Sequence, residues 1–569
     1  MRGGMSNGPS IGWMVLLCCT VCLPAARAAD FYVDPQAGSP DGDGSAADPW
    51  RSLQAVVDAG LIESRQWESL PYEQGAALVA RNPGAPVGAG DTIYLRSGFH
   101  GALSISGYYN SDFITIAAAP GHQPRLSRIL LRACGHWVLR GLAVSPEYAP
   151  DYEPATLIDL DSHGWQGPVR DVVVENCRLQ SVADSSGWSA ADWNALACNG
   201  IGVDGTRMTV RGNTLRNVDF GISVGASHAL VEHNLVENFS GDGLRGLGDY
   251  SVFQYNTVRN CYDVNQNHDD GFQSWSNGPD GVGSGEVVGI ELRGNRIVNY
   301  VDPDQPHRGT LQGIGCFDGT FVDWVVENNV IVTDHWHGIT LLGARGCRLV
   351  NNTVLDTNDE RPGPPWVSIG AHKDGTEPTG CIVRNNLTTS VSVDGQHDVA
   401  VDHNLIIEDA AALFVDPAAR DLHLLADAAA VDSGSAEAAP AIDIEGVARP
   451  QGAGIDIGAY EYSTGVEPDG GLDAGFDAGA DAGPDAGVDA GTDAGLDAGA
   501  DAGTDGGGDA AGSDPGSDAG FAVDAGAAGQ KIVGSGCGCA AAGTGRPVLL
   551  PGLCLGLLLF RRRIACRRR

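Results

Sequence analysis

The segment NQNHDDGFQSW, residues 265–275, sets His268, Asp269 and Asp270 side by side ahead of a glycine and an alternating Phe-Gln-Ser-Trp run. Adjacent carboxylates can hold a cation or share a proton, and an imidazole beside them can move one. An Asp-Gly pair alone is ordinary turn chemistry, so the triplet needs company before it reads as a site. Upstream, GDGLRG supplies Asp242; downstream, QGIGCFDG supplies Gln312 and Asp318. Further on, TDHWHGITLLGARG adds His335, Trp336, His337 and Arg345, and AHKDG adds His372 and Lys373.

Two short patterns recur around these residues and say what must position them. One ends in asparagine, in RGNTL (Asn213), VEHNLV (Asn234), FQYNTV (Asn256), LRGNRI (Asn295), VENNVI (Asn329), LVNNTV (Asn352), VRNNL (Asn386) and VDHNLI (Asn404), with VENCRL (Asn176) placed in the same slot. The other starts from glycine, in NGIGV (Gly200), FGISV (Gly221), DGLRG (Gly243), DGFQS (Gly271), QGIGC (Gly313) and HGITL (Gly338). Alternating apolar residues indicate strands, and a repeat of a few short strands is one turn of a parallel solenoid. A fixed asparagine can stack on itself from turn to turn as a hydrogen-bonded ladder. In this register Asn199, Phe220, Asp242, Asp270, Gln312 and His337 precede the glycines and form one column, neutral at its ends and charged at its centre.

The pattern resembles right-handed parallel β-helix proteins of the carbohydrate-active kind, over residues 30–462. FYVDPQAGSPDGDGSAADPWRSLQAVV looks like their opening cap, and AIDIEGVARPQGAGIDIGAYEY like a closing segment. Asp242 in DGLR, and Asp269 and Asp270 in HDDGFQ, resemble the acidic rungs of calcium-dependent pectate lyases. The resemblance implies Ca²⁺ on those three carboxylates, with Gln273 standing where that family has its last acidic ligand. QGIGCFDG lacks that family's lysine base. His337 is then the first candidate for the base because it shares Asp270's column, with His335, Lys373, Arg345 and His268 as further catalytic candidates. Gln273, Trp275, Gln312, Asp318 and Trp336 are the candidates for substrate contact.

Two enzyme readings are open, and a third without catalysis. A polysaccharide lyase cleaving a uronate-containing glycan needs carboxylate neutralisation, a base and a proton donor. A polygalacturonase-like hydrolase resembles the same chain order, Asp269-Asp270, HWHG and HKDG, and needs two carboxylates at a set separation. A non-catalytic surface solenoid would use the column to bind glycan only.

Composition bounds the rest. Of 569 residues 81 are glycine and 7% aromatic, which favours short strands and turns over long helices. The formal charge is -37, and such an acidic chain offers no phosphate-neutralising surface for nucleic acid. Residues 1–29 read as a signal peptide, with an apolar core and small residues at Ala26 and Ala28. Residues 463–530, with Asp at every fourth position from Asp473 to Asp509, read as an unfolded acidic spacer. Residues 531–569 place Cys537 and Cys539 before a short apolar run and an arginine cluster, and resemble myxobacterial-type C-terminal sorting signals. That resemblance implies a sorting protease as partner, a C-terminal membrane anchor and a cell-surface location; a monomer is expected. Seven cysteines fall in the body, with stacked thiols and bridges both open.

Overall fold

The computed structural model describes residues 28–463 apart from 303, 357, 359–360 and 394–397. The expected leader, acidic spacer and sorting tail lie outside the described residues except at their borders. No helix among the described residues is long and apolar enough to cross a membrane.

Alternation of apolar and polar residues produces short strands, and successive strands in the chain enter three different parallel sheets of 13, 12 and 11 strands. Thr209–Arg211, Thr214–Val218 and Ile222–Val224 make one coil, and each pairs in parallel with its counterpart in the next, Leu230–Glu232, Leu235–Phe239 and Leu244–Gly246. This is a right-handed parallel β-helix. Inward residues stack in register through the third sheet as Ile158, Ile201, Ile222, Leu244, Phe272, Ile314 and Ile339, all buried. Each such side chain contributes about 1.5–3 kcal/mol on leaving water.

The asparagine slot is the corner between the first and second sheets. The side-chain oxygen of each ladder asparagine accepts from both the backbone N–H and the side-chain amide of the one before, from Asn213 on Asn234 (3.0 and 2.9 Å) through to Asn386 on Asn404. The residue ahead of each asparagine takes a left-handed conformation, as His233 (φ 53°) and Tyr255 (φ 53°) do. This corrects the placement of Asn176: it occupies the left-handed position (φ 54°), and Cys177 fills the ladder slot, donating its backbone N–H to Asn213. The corner is two residues long at every coil from Arg140 to Leu405.

Glycine in the second pattern is required by close approach. A Cβ on Gly271 would lie 2.3 Å from an Ile297 methyl and 2.8 Å from the Gly313 carbonyl, and the glycines above and below are similarly crowded.

Insertions flank the third sheet on both edges. Ahead of its strands come residues 181–200, 262–269 and 299–311, and after them come 276–290 and 371–380. The first group is laced into one wall. Helix Ala190–Leu196, capped by Ser189 and Asp192, packs Trp193 against Trp188 and Tyr262. Asn194 donates to the Val264 carbonyl and accepts from Asn265, while His307 bonds the Trp188 carbonyl. Trp188 and Trp193 therefore pack the insertion onto the solenoid, whereas Trp165 is exposed. All seven described cysteines are free and buried.

Both ends are capped. Helix Leu53–Asp58 buries Leu53, Val56 and Val57 at the opening end. At the other end, Arg449 and Glu461 form a buried ion pair (2.8 Å), and His423 sits between Asp421 (2.6 Å) and Glu445 (3.0 Å). Burial opposes a charge on His423, but the hydrogen bonds to Glu445 and Asp421 outweigh it and push its pKa up to about 9. Because this lies above the unfolded value of about 6.5, the contribution is complete below that pH and is lost as pH rises through the folded value; it amounts to about 3 kcal/mol at most. Chemical denaturation from roughly pH 6 to 10 should show stability falling across that window, and His423→Gln should flatten the loss.

Candidate functional site

The outer face of the third sheet lies between the two walls. Its eleven strands span about 50 Å at one solenoid rise per strand. The residue two beyond each pattern glycine points outward, so that Gly202, Ser223, Arg245, Gln273, Gly315 and Thr340 succeed one another along the floor.

The floor's centre is built around Arg245. Its Nε donates to Asp242 (2.5 Å), its guanidinium carbon lies 3.7 Å over the Phe220 ring, and Trp275 stands 5.4 Å away on the next coil. The Arg245 side chain is 23% exposed while Asp242 is 2% exposed, so the cation faces the groove and its partner lies beneath. Asp242 also accepts the Asp270 backbone N–H, and Gln273 donates to Asp270 Oδ2 (2.8 Å). Gly315 leaves room for the other oxygen: a Cβ there would sit 2.1 Å from Asp270 Oδ1 and 2.8 Å from the Phe317 ring. That oxygen and Gln312 Oε1, on the facing residue of the next coil, are buried acceptors without a donor. Burial, then the Asp242 charge, raises Asp270 well above the carboxylate range. Burial raises Asp242 as well, with Arg245 opposing the rise.

The column expected from sequence is thus mostly covered. Asp242, Asp270 and Gln312 are buried under the floor, and Gln273 donates to Asp270 from above. Asp269 turns to the preceding corner, where it accepts the Cys261 thiol. Among the described residues no group of three or more His, Cys, Asp or Glu side chains is placed to hold a metal ion. With Arg245 on Asp242, the trio Asp242, Asp269 and Asp270 does not fit the calcium site implied by resemblance, and no step is derived through calcium.

His337 lies three coils from Arg245, about 14 Å along the axis. The residues expected to form one site therefore fall into two groups along the floor. His337 Nδ1 bonds the Thr340 hydroxyl (2.9 Å), which also accepts from Trp366 Nε1 (2.9 Å). His335 stacks on His337 with centroids 5.2 Å apart, Phe317 meets His337 edge-on, and Trp336 and Trp366 lie near parallel at 6.4 Å. Burial lowers both imidazoles to about 4, His335 further by His337, so both are neutral. His268 is exposed on the loop that Asn194 anchors, immediately ahead of Asp269-Asp270, and its charge acts on Asp242, His335 and His337.

Arg345 and Lys373 belong to the second wall. Arg345 pairs with Glu286 (2.7 Å), Lys373 with Asp318 (2.6 Å), and His372 bonds the Gly283 carbonyl. The His372 bond ties 276–290 to 371–380, Arg345 holds Glu286 of the first insertion, and Lys373 pairs with Asp318 at the end of a floor strand, so both cations have structural partners.

Sequence reasoning passed over Arg245, Phe220, Thr340, Trp366 and an acidic end of the floor. There Asp159 and Asp161 pair with Arg128 and Arg132, and Asp204 faces Asp161 across one coil. Loss of water around the Asp204 carboxylate, with Asp161 and Asp159 nearby, raises it to about 6. The signal was available in the residue two beyond each glycine, which for Gly243 is arginine.

A parallel β-helix with one walled, polar and aromatic sheet face is the class that fold and site define. Residues 199–419 match the family described as a right handed beta helix region. No curated protein matches the chain. Among solved structures the chain is similar to XylC in complex with xylose (9% identity, 76% of this chain and 98% of that one, TM-score 0.46) and to pectate lyase Pel9A (16%, 77% and 98%, 0.33). It is also similar to the A-module of the mannuronan C-5 epimerase AlgE4 of Azotobacter vinelandii (14%, 66% and 95%, 0.37). At these identities the likeness is one of fold.

Proposed function

We propose that this protein is a carbohydrate-active enzyme, a polysaccharide lyase cleaving a uronate-containing glycan laid along the walled face. The observation that carries the reading is Arg245, a cation between two aromatic faces at the floor of a long groove. A guanidinium has donors to spare after serving one carboxylate, so its outer edge can receive a uronate carboxylate and stabilise the charge that develops there. His268 then takes the proton from the carbon beside the carboxylate. The electron pair forms the new carbon–carbon double bond as the glycosidic oxygen leaves, and the imidazolium returns the proton to that oxygen. Export and surface anchoring remain part of the proposal, carried by residues 1–29 and 531–569.

The test is absorbance of the unsaturated uronate, followed with the purified full chain on uronate-containing and neutral glycans beside a reducing-end assay. Absorbance on uronate glycans supports the lyase. Because Arg245 stands where a cation is needed, chelation should leave the rate unchanged, and loss of activity with EDTA, restored by Ca²⁺, would return the metal to the site.

A second reading, hydrolysis, is favoured by Asp204 and Asp161. They face each other across one coil, a rise of about 4.8 Å, and burial together with the Asp161 charge raises Asp204 to about 6. That spacing is near the separation of about 5–5.5 Å in retaining glycosidases. New reducing ends without absorbance, abolished by Asp204→Asn, would select it. Silence in both assays with retained binding would leave a glycan-binding solenoid.

A further inference from the structure

We infer that the substrate is a mixed glycan, in which a single backbone uronate seats at Arg245 between neutral sugars, rather than a polyuronate. The inference rests on the lyase reading and concerns which uronate glycan the groove accepts.

Charge along the floor carries the argument. The eleven strands of the third sheet contain two cations, Arg132 and Arg245, and four carboxylates, Asp159, Asp161, Asp270 and Asp318. Both cations are already paired, Arg132 with Asp161 and Arg245 with Asp242, while Asp159 and Asp318 are paired with Arg128 and Lys373 from outside the strands. A pyranose advances along a glycan by about one solenoid rise, so a polyuronate would present a carboxylate to nearly every coil. Only at Arg245 does a cation turn an edge to the groove from an aromatic setting.

Two and three coils towards the opening cap, such a chain would meet Asp204 and Asp161, where a second carboxylate is repelled and a hydroxyl finds acceptors. Three coils the other way it would meet neutral imidazoles and the Trp336–Trp366 pair, whose parallel rings suit the apolar faces of neutral sugars. Both flanks therefore disfavour charge, by repulsion on one side and, on the other, by neutral imidazoles beside a Lys373 already paired with Asp318.

The experiment compares the full chain on gellan, whose backbone sets single glucuronates among neutral sugars, with polygalacturonate and alginate, at low and high salt. The inference expects kcat/KM for gellan at least tenfold above either polyuronate. It expects that ratio to narrow severalfold in Asp204→Asn, in Asp161→Asn, which also frees Arg132, and at high salt. Trp366→Ala should raise KM on gellan with little change in kcat. Equal rates on polyuronates, or a ratio unmoved by both aspartate variants, overturns the inference and leaves the lyase standing. If no glycan gives absorbance, the lyase reading falls, and affinity electrophoresis on the same panel decides the inference. Retardation by gellan alone supports it, and retardation by polyuronates overturns it.

Discussion

Replacing Asn295 with alanine is expected to lower the stability of the β-helix by about 4 kcal/mol. The side chain is buried and makes four hydrogen bonds, accepting from the backbone and side-chain amides of Asn256 (3.1 and 3.0 Å) and donating to the Phe253 carbonyl (2.8 Å) and to Asn329 (3.0 Å). Alanine removes the acceptor of the Asn256 amides and the donor to the Phe253 carbonyl, leaving Asn329 only the backbone N–H of residue 295, and an unsatisfied buried group costs about 1–3 kcal/mol. Denaturant midpoints of Asn295→Ala and of Asn267→Ala, an exposed loop residue, give the comparison. A loss at Asn295 no larger than at Asn267 would show that the ladder merely decorates a corner held by the sheets.

The second large effect concerns Arg245. Arg245→Met should reduce turnover on a uronate glycan by about a hundredfold or more, the scale of removing a charge-stabilising donor from a reaction centre. Alone it would also leave Asp242 without its counter-ion in a buried place, a cost that confuses loss of function with loss of structure. The informative variant is Arg245→Met with Asp242→Asn, which removes both charges together. Its melting temperature should stay near that of the parent while activity remains lost. Arg245→Lys should rescue little, because an ammonium can neither stack on Phe220 as a plane nor serve Asp242 and a substrate carboxylate with two edges. Full turnover in the double variant would sink the assignment.

How much of the fold and site was legible in the sequence depends on what fixes each residue. The asparagine ladder was readable because backbone amides dictate the residue type, so one identity repeats at one slot. The single misplacement, Asn176, arose where the left-handed residue ahead of the slot was itself asparagine, a residue that tolerates that conformation. The glycine pattern was readable for the same reason, crowding that only a missing Cβ relieves.

Facing was harder to read. The residues ahead of the glycines were expected to line the groove, yet Asp242, Asp270 and Gln312 are covered by side chains later in each coil, Arg245, Gln273 and Phe317. A column drawn from sequence gives no depth. Nor does it give distance: Asp270 and His337 share a column but stand two coils, about 10 Å, apart. Arg345 and Lys373 were read as catalytic because cations near a site invite it, whereas Glu286, which holds Arg345, and Lys373 itself lie in insertions whose path no repeat predicts.

The two-residue asparagine corner has a consequence for how such a chain can change over generations. An extra residue there would break the ladder in both directions, so length variation is confined to the remaining two corners, and both border the same sheet. Mutational drift in loop length therefore resculpts the rims of one groove while the scaffold stays in phase. A lineage, or an engineer, can exchange those rims as cassettes and alter what the groove accepts without renegotiating the fold.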